Sequence, residues 1–240
     1  MSNEKIAALL KTSVIDYPYL LSCVVFMTGC NLRCPYCYNK SLIINCDKAS
    51  LVTLDDIKSH LIKRRNILKG VVISGGECLI NPHTLEIIQL AKDLGYRVKL
   101  DTNGTSPQLL SNLMSHFETR PDYIAMDIKT SPERYSILNP VSHIKNLDIK
   151  RLLLDSIDII KSIGASNYEW RTVLVPDLVT KDDIDNIASY LPEDSVWYFA
   201  RFINKDCLDP SYNKKVPYSD TESHRLVDYA STLIKNSILR

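Results

Sequence analysis

Long apolar runs are missing from this sequence. No stretch reaches the roughly 18 residues needed to cross a bilayer, and Met1 to Leu10 holds no basic patch followed by an apolar core. The expectation is therefore a chain with no signal peptide and no membrane partner, placed in the cytoplasm, where thiols stay reduced. A surplus of one charge is missing too. Lys and Arg number 29 against 28 Asp and Glu, a formal net charge of +1, which gives no electrostatic argument for nucleic acid or an anionic membrane as partner. The densest basic run, Lys63-Arg64-Arg65, is short and reads as the solvated end of a helix. Low-complexity tracts, Pro- or Gly-rich linkers and strong repeats are absent. The five histidines (His60, His83, His116, His143 and His224) show no ligand spacing and read as structural or exposed.

What is present is an ordinary globular composition, 45% apolar and 24% charged over 240 residues. That length suits a single domain over 1–240, with a core at about 19–202 and a C-terminal loop and helix over 203–240. Short β-rich runs alternate with amphipathic stretches. Strands are expected at Leu20 to Met27, Gly70 to Ser74, Arg97 to Asp101, Asp122 to Asp127, Trp170 to Val175 and Val196 to Phe202. Several are continuous apolar blocks, as in strands buried on both faces. Helices are expected after Thr53, with Asp56 completing a capping box, and from Asn81-Pro82 to a cap at Gly95. Further ones fall near Pro107 to Phe117, Ile149 to Ile163, Lys181 to Tyr190 and Thr221 to Leu239. Six β/α units imply a parallel α/β sheet with right-handed crossovers, either a partial barrel or an open doubly wound sheet. In both, ligands gather at the carboxyl ends of the strands.

The chemically rich residues do follow strands. Cys30, Cys34 and Cys37 stand in a C-x3-C-x2-C loop after the first one. Seven cysteines in a reducing compartment call for metal or redox chemistry, and soft thiolates suit an iron–sulfur cluster, zinc or copper(I). Three ligands leave one corner of a cubane cluster open for a small molecule. A structural zinc site with Cys46 as fourth ligand is the alternative. Cys23 reads as a buried core thiol, and Cys207 lies in a polar loop with no partner suggested.

This loop resembles the hallmark of the radical S-adenosylmethionine (SAM) superfamily. Gly75-Gly76-Glu77 follows the second strand, Asp101-Thr102-Asn103-Gly104 the third, and Met126-Asp127-Ile128-Lys129 the fourth. The set is similar to the glycyl-radical-activating branch, above all to anaerobic ribonucleoside-triphosphate reductase-activating proteins. The opening Lys11-Thr12-Ser13-Val14-Ile15-Asp16-Tyr17-Pro18 shares that likeness, which runs from about Ile6 to Pro176. The resemblance implies a partial (β/α)6 TIM-like barrel. It also implies a [4Fe–4S] cluster on Cys30, Cys34 and Cys37, with SAM chelating the fourth iron.

Carried over residue by residue, Tyr36 matches an adenine contact. Gly75, Gly76 and Glu77 match the segment receiving the methionyl amine, and Asn103 continues the SAM-binding loop. Asp101, Thr102, Met126 and Asp127 match a monovalent-cation site. Lys129 would face the SAM carboxylate, Arg171 and Val173 would lie near ribose and adenine, and Asp16 would lie near an incoming glycyl loop. The implied partners are a glycyl-radical enzyme, here an anaerobic ribonucleotide reductase, and a low-potential donor such as flavodoxin or ferredoxin.

Departures from the pattern are Tyr38, where a histidine is common, Cys78 in place of a proline, and Ala200-Arg201-Phe202, where an activator has a late-strand histidine. No second cysteine-rich insert suggests auxiliary clusters. Asn204 to Asp220 is a candidate lid or docking surface, with an ordinary flexible loop as the alternative. The rival functions are a small-molecule radical SAM catalyst resembling 7-carboxy-7-deazaguanine synthase and a non-catalytic metal-binding protein.

Overall fold

A computed structural model describes residues 4–44 and 49–240. Cys46, the alternative zinc ligand, and the side chain of His143 lie outside that description. The strands are β1 (Ala7–Ser13), β2 (Ser22–Met27), β3 (Gly70–Gly75), β4 (Arg97–Thr102), β5 (Tyr123–Asp127), β6 (Tyr168–Leu174), β7 (Val196–Arg201) and β8 (Asn236–Leu239). The helices are α1 (Lys40–Ile43), α2 (Leu54–Arg64), α3 (Thr84–Asp93), α4 (Pro107–Met114), α5 (Ser142–Lys145), α6 (Ile149–Lys161), α7 (Lys181–Ala188) and α8 (Asp220–Leu233).

Strand order in the sheet is β1-β2-β3-β4-β5-β6-β7-β8. A doubly wound sheet reverses its order at a switch point. This one never reverses, so the winding is that of the partial barrel and the fold class is α/β. The pairs β2/β3, β3/β4, β6/β7 and β7/β8 are parallel. Strand β1 is antiparallel to β2, with a bulge between Leu10 and Ser13.

The six expected strands are β2 to β7, each within two residues of its expected ends. Two strands were not anticipated. β1 carries Lys11 and Thr12 in a sequence with little β-branched content. β8 falls inside the helix expected over Thr221 to Leu239: α8 stops at Leu233, Ile234 turns extended, and the tail pairs with β7. The helix starts fare better. Thr53/Asp56 makes the expected capping box, and Thr180/Asp183 and Ser219/Glu222 make two more. Each satisfies two helix-end donors. Asn81-Pro82 does not open the helix. A 3₁₀ turn occupies Cys78–Ile80, Asn81 Oδ1 accepts from His83 N at 3.1 Å, and α3 begins at Thr84.

By contacts the chain divides into two compact units, 1–31 with 39–102 and 108–124, and 32–38 with 103–107 and 125–240. In the first unit, strand register puts Val24 beside Val72 and Val72 beside Lys99. With a side-chain period of two, Val24 and Phe26, Val72 and Ser74, and Lys99 and Asp101 share one sheet face. Tyr17 packs on the start of this face against Val24 and Val72, with Leu20, Phe26 and Tyr123 around them. The face thus changes from apolar at the strand starts to polar at their carboxyl ends. The opposite face carries Val25, Met27, Val71, Ile73, Val98 and Leu100, all buried. Helix α3 packs on β3 and β4, contributing buried Ile87, Ile88 and Ala91.

In the second unit Trp170, Trp197 and Phe199 are fully buried, each contributing about 1.5–3 kcal/mol of apolar burial. Both indoles keep their N–H satisfied, Trp170 on Ser195 Oγ and Trp197 on Thr172 Oγ1, each at 2.9 Å. Among the described residues no helix is long and apolar enough to cross a membrane.

Candidate active site

The boundary between the two units passes through the cysteine loop, so each unit supplies its own group of site residues. In the first, β2 ends at Met27 and the chain turns through Thr28 and Gly29 to Cys30. This turn is stitched to the one after β3. Gly76 N donates to Met27 O at 3.0 Å and Glu77 N to Gly29 O at 2.9 Å. Asn81 Nδ2 donates to Thr28 O at 3.1 Å, and Asn39 Nδ2 to Gly75 O at 3.3 Å.

The two glycines are sterically required. Gly75 sits at φ +120°, and a Cβ there would lie 2.3 Å from the Met27 backbone. A Cβ on Gly76 would lie 1.9 Å from Gly29 O and 3.2 Å from Cys30 Cβ. The glycine pair therefore sets where Cys30 stands.

Glu77 is fully buried. Its Oε1 accepts from Thr102 Oγ1 at 2.8 Å and from Leu79 N at 3.2 Å, which orients a carboxylate at the carboxyl end of β3. Cys78 is fully buried as well, and its Sγ donates to Asp101 O at 3.1 Å. Burial, with the Glu77 and Asp101 charges beside it, pushes this thiol well above the usual range. Cys78 is thus a neutral packing thiol and no nucleophile. Asp101 forms an ion pair with Lys99 at 3.0 Å, and Lys99 Nζ also donates to Asp16 O at 2.8 Å. Asp16 stands in the turn between β1 and β2, where Ser13 pairs with Ser22 at the start of β2. That is the end of the strand remote from Cys30.

In the second unit Cys37 N donates to Cys34 O at 3.0 Å, closing a tight turn with Cys34 and Tyr36 buried and Cys37 partly exposed. Arg33 N donates to Leu138 O at 3.0 Å. Asp127, ending β5, accepts from Arg171 Nε at 2.8 Å and lies 3.4 Å from Lys129 Nζ. Burial works against ionising Asp127, but Arg171 and Lys129 outweigh it and hold the carboxyl at about 2. Lys129 is in turn held protonated: burial opposes its charge, but Asp127 together with Tyr36, Cys34 and Tyr135 outweighs burial and raises it. Its backbone N donates to Tyr135 Oη at 2.9 Å.

Ile128 N donates to Arg171 O, and Thr172 Oγ1 to Ile128 O, both at 2.8 Å. These bonds fix the end of β5 against β6. Along β6 the burial alternates: Trp170, Thr172 and Leu174 are buried, while Arg171 and Val173 share the more open face. Asn103 is turned into its own loop, where Oδ1 accepts from Thr105 N at 3.0 Å and Thr105 Oγ1 at 2.6 Å. Met126 is fully buried and packs where a Cβ on Gly104 would stand, 2.1 Å from its Cε.

The segment after β7 is tied to the cysteine loop. Tyr38 Oη accepts from Ile203 N at 2.8 Å, and Asp209 N donates to Pro35 O at 2.8 Å. Phe202 meets Tyr212 edge to face, and Lys215 pairs with Asp177 at 2.6 Å. The stretch expected to be a lid or docking surface, with an ordinary flexible loop as the alternative, is tied down as a strap with Cys207 buried inside it.

Sequence reasoning missed Asn81, Lys99 and Tyr135, all of which hold site residues in place. Lys99 had a signal, a cation at an alternating position of an otherwise apolar strand. The other two had none.

The six described cysteines are all thiols, none of them in a disulfide. Cys23 is buried in β2, as expected. Cys30, Cys34 and Cys37 form a soft donor set on one short loop, and the glycine pair lets the turn bearing Cys30 pack closely against the one after β3. This donor chemistry fits an iron–sulfur cluster. Among the described residues no three His, Cys, Asp or Glu side chains are arranged to hold a single metal ion.

Comparison with known proteins agrees. Residues 24–191 match the family described as the radical SAM superfamily. The chain is 30% identical over 236 residues to a putative glycyl-radical enzyme activating enzyme of Methanocaldococcus jannaschii, covering 98% of this chain and 95% of that protein. It is 27% identical to the pyruvate formate-lyase-activating enzyme of Clostridium pasteurianum, over 80% of this chain and 77% of that one. The crystal structure of Streptococcus suis SuiB bound to S-adenosylmethionine superposes with a TM-score of 0.61 at 14% identity, over 89% of this chain and 47% of SuiB. The present chain thus spans less than half of that larger protein. A [4Fe–4S] cluster and S-adenosylmethionine are the cofactors that go with this family and with the donor set found here. By its thiol loop, its strand order and its likeness to known proteins, this chain belongs to the radical SAM superfamily of enzymes.

Proposed function

We propose that this radical SAM enzyme generates a glycyl radical on a partner enzyme, an anaerobic ribonucleoside-triphosphate reductase. The observation that carries the reading is the relative at 30% identity over nearly the whole of both chains, named as a glycyl-radical enzyme activator. Support also comes from the site itself, which carries thiols after β2, a buried carboxylate after β3 and an ion-paired carboxylate at the end of β5.

In this reading Cys30, Cys34 and Cys37 hold the cluster. The bound cofactors supply the chemistry, a one-electron cleavage of S-adenosylmethionine to methionine and a 5′-deoxyadenosyl radical that abstracts hydrogen. The protein's own residues bind, orient and exclude water. Gly75 and Gly76 let backbone approach the methionyl end, and Glu77 accepts from its amine. Lys129 faces its carboxylate, and Asp127 keeps Lys129 charged and aimed. Tyr36, Arg171 and Val173 line the nucleoside end. Thr102 anchors Glu77, and Asn103 shapes its loop. Asp101, Thr102, Met126 and Asp127 are the residues that would hold a monovalent cation; Lys99 pairs with the first carboxylate and Arg171 with the second.

The partner's own loop brings the glycine, and a low-potential donor such as flavodoxin or ferredoxin supplies the electron. The test is anaerobic reconstitution with reductant, S-adenosylmethionine and an anaerobic ribonucleotide reductase. A glycyl electron-spin doublet on the reductase is the expected outcome. Turnover of a pterin with no doublet assigns the chain instead to 7-carboxy-7-deazaguanine synthase-like chemistry.

A further inference from the structure

In the first unit, the face that α2 turns toward β1 is basic, where a helix face laid on a strand is ordinarily apolar. Asp56, Ser59, His60, Lys63 and Arg64 recur at the three- and four-residue spacing of a single helix face, and Ile57 and Leu61 supply the buried side of the helix. Between that face and β1 lies a cleft of about 720 Å³, a volume typical of small-molecule sites. Lys11 and Thr12 of β1, with Lys5 just before the strand, line its other side. His60 Nε2 lies 3.1 Å from Lys11 O, and Arg64 donates to Thr12 Oγ1 at 3.5 Å.

The cations of this cleft are not neutralised. Its lining has one carboxylate, Asp56, which closes the α2 capping box and lies 3.9 Å from Lys5. Among the described residues Lys11, Lys63 and Arg64 form no ion pair, and Arg64 Nε is buried with no hydrogen-bond partner. His60 is held below its ordinary range by burial and by the charges of Arg64, Lys11 and Lys63. Like charges side by side on a helix destabilise it, and a bound anion relieves them. The donors present are a guanidinium fork, ammonium groups and the hydroxyls of Thr12 and Ser59. Phosphate oxygens accept from all three kinds, and the arginine fork matches them two at a time.

The charged part of the cleft stands away from the thiols. Thr12 precedes Ser13, which pairs with Ser22 at the start of β2, whereas Cys30 follows the other end of that strand. We propose that this cleft binds the oligophosphate chain of a small molecule, a nucleoside triphosphate or an inorganic polyphosphate, at a second site apart from the thiol loop. Its concave shape fits a compact polyanion rather than a flat acidic protein surface. A chain with a net charge of +1 has no broad surplus of the kind that marks nucleic-acid binding. The inference is independent of the radical reaction and of the partner proposed above.

The full-length protein is titrated by calorimetry with inorganic tripolyphosphate, with ATP and with orthophosphate. Tripolyphosphate and ATP are expected to bind at one site per chain, and orthophosphate about tenfold more weakly, because a single phosphate reaches fewer of the cations. Equal affinity for the first two supports recognition of the phosphate chain alone, and tighter ATP supports a nucleotide as its source. Lys63→Glu is expected to weaken tripolyphosphate binding about tenfold, and Lys11→Glu/Lys63→Glu about a hundredfold, as charge-assisted bonds are lost. Lys63→Gln, a milder change, weakens it about threefold. Lys11 and Lys63 are exposed, so circular dichroism of all these variants matches the wild type. Lys235→Glu, the same charge change on an exposed lysine elsewhere, leaves binding unchanged.

Lys63→Glu or Lys63→Gln binding tripolyphosphate as tightly as the wild type overturns the proposal, and so does Lys235→Glu weakening it equally. Sulfate binding as tightly as tripolyphosphate reduces the cleft to general charge screening and overturns it too. A duplex RNA oligonucleotide that binds more tightly than tripolyphosphate, and does so through Lys63, assigns the surface to nucleic acid instead. Saturating S-adenosylmethionine is expected to leave tripolyphosphate binding unchanged, and displacement by it refutes a second site.

Discussion

Gly76→Ala is the sharpest test of the site's construction. The added Cβ would lie 1.9 Å from Gly29 O, and real contacts of this kind do not fall below 3.0 Å. The turn bearing Gly29 and Cys30 must therefore retreat by about 1 Å. That retreat breaks the bond from Glu77 N to Gly29 O, worth about 1 kcal/mol, on top of an overpacking cost of about 1–3 kcal/mol. The sum, about 2–4 kcal/mol, lowers Tm by about 5–15 °C in a chain of this size. The fold survives this, but placement of the first thiol does not. A 1 Å misplacement costs about 10²-fold in rate. Gly95→Ala is the matched control: it too has positive φ, but its Cβ meets nothing within 4 Å, so it costs about 1 kcal/mol of backbone strain and leaves activity alone. The assay is iron and sulfide content after anaerobic reconstitution, followed by 5′-deoxyadenosine formation. Full loading and a wild-type rate in Gly76→Ala would show that the glycine pair does not position Cys30.

Replacing Cys30, Cys34 or Cys37 with alanine is expected to abolish 5′-deoxyadenosine, whereas Cys78→Ala retains it and loses about 1–2 kcal/mol of stability to a small cavity and one lost weak bond, read by denaturant melts. Asp127 has a folded pKa of about 2 against an ordinary value near 3.9, so it contributes stability above pH ~4 that disappears as pH falls toward 2. The stability gap between wild type and Asp127→Asn should close over that window in melts at stepped pH, and a gap that widens contradicts the ion-pair assignment. Tyr38→Phe removes the acceptor for Ile203 N and is expected to cost about 1 kcal/mol, with faster amide exchange at Ile203 and Asp209 as its signature.

Strands β2 to β7 were legible because each is an apolar block bounded by a turn, and helix caps such as Thr53 with Asp56 are written within one turn of chain. Strands β1 and β8 were not. Their identity depends on pairing with β2 and β7, and the Asn236–Leu239 tail continues a helical pattern until tertiary pairing overrides it. At the site, the residues bearing the chemistry could be read from motifs, because thiols and carboxylates stand in short order after strands. What holds them could not. Asn81 and Lys99 act on residues 53 and 83 positions away, and no local pattern encodes such a bond. The placement of Asp16 was hidden for the same reason: it depends on which end of β2 the hairpin closes.

The strap after β7 fixes an order of events in the life of the chain. Ile203 reaches back 165 residues to Tyr38, and Asp209 reaches back further to Pro35. A ribosome making the protein from its amino end exposes Cys30, Cys34 and Cys37 early, long before the residues that clamp their loop have been made. For most of synthesis that loop hangs open, its sulfurs accessible to oxidants and to the wrong ions. Only when translation is nearly finished does the clamp arrive, so the loop takes its tied-down form only in the almost completed polypeptide.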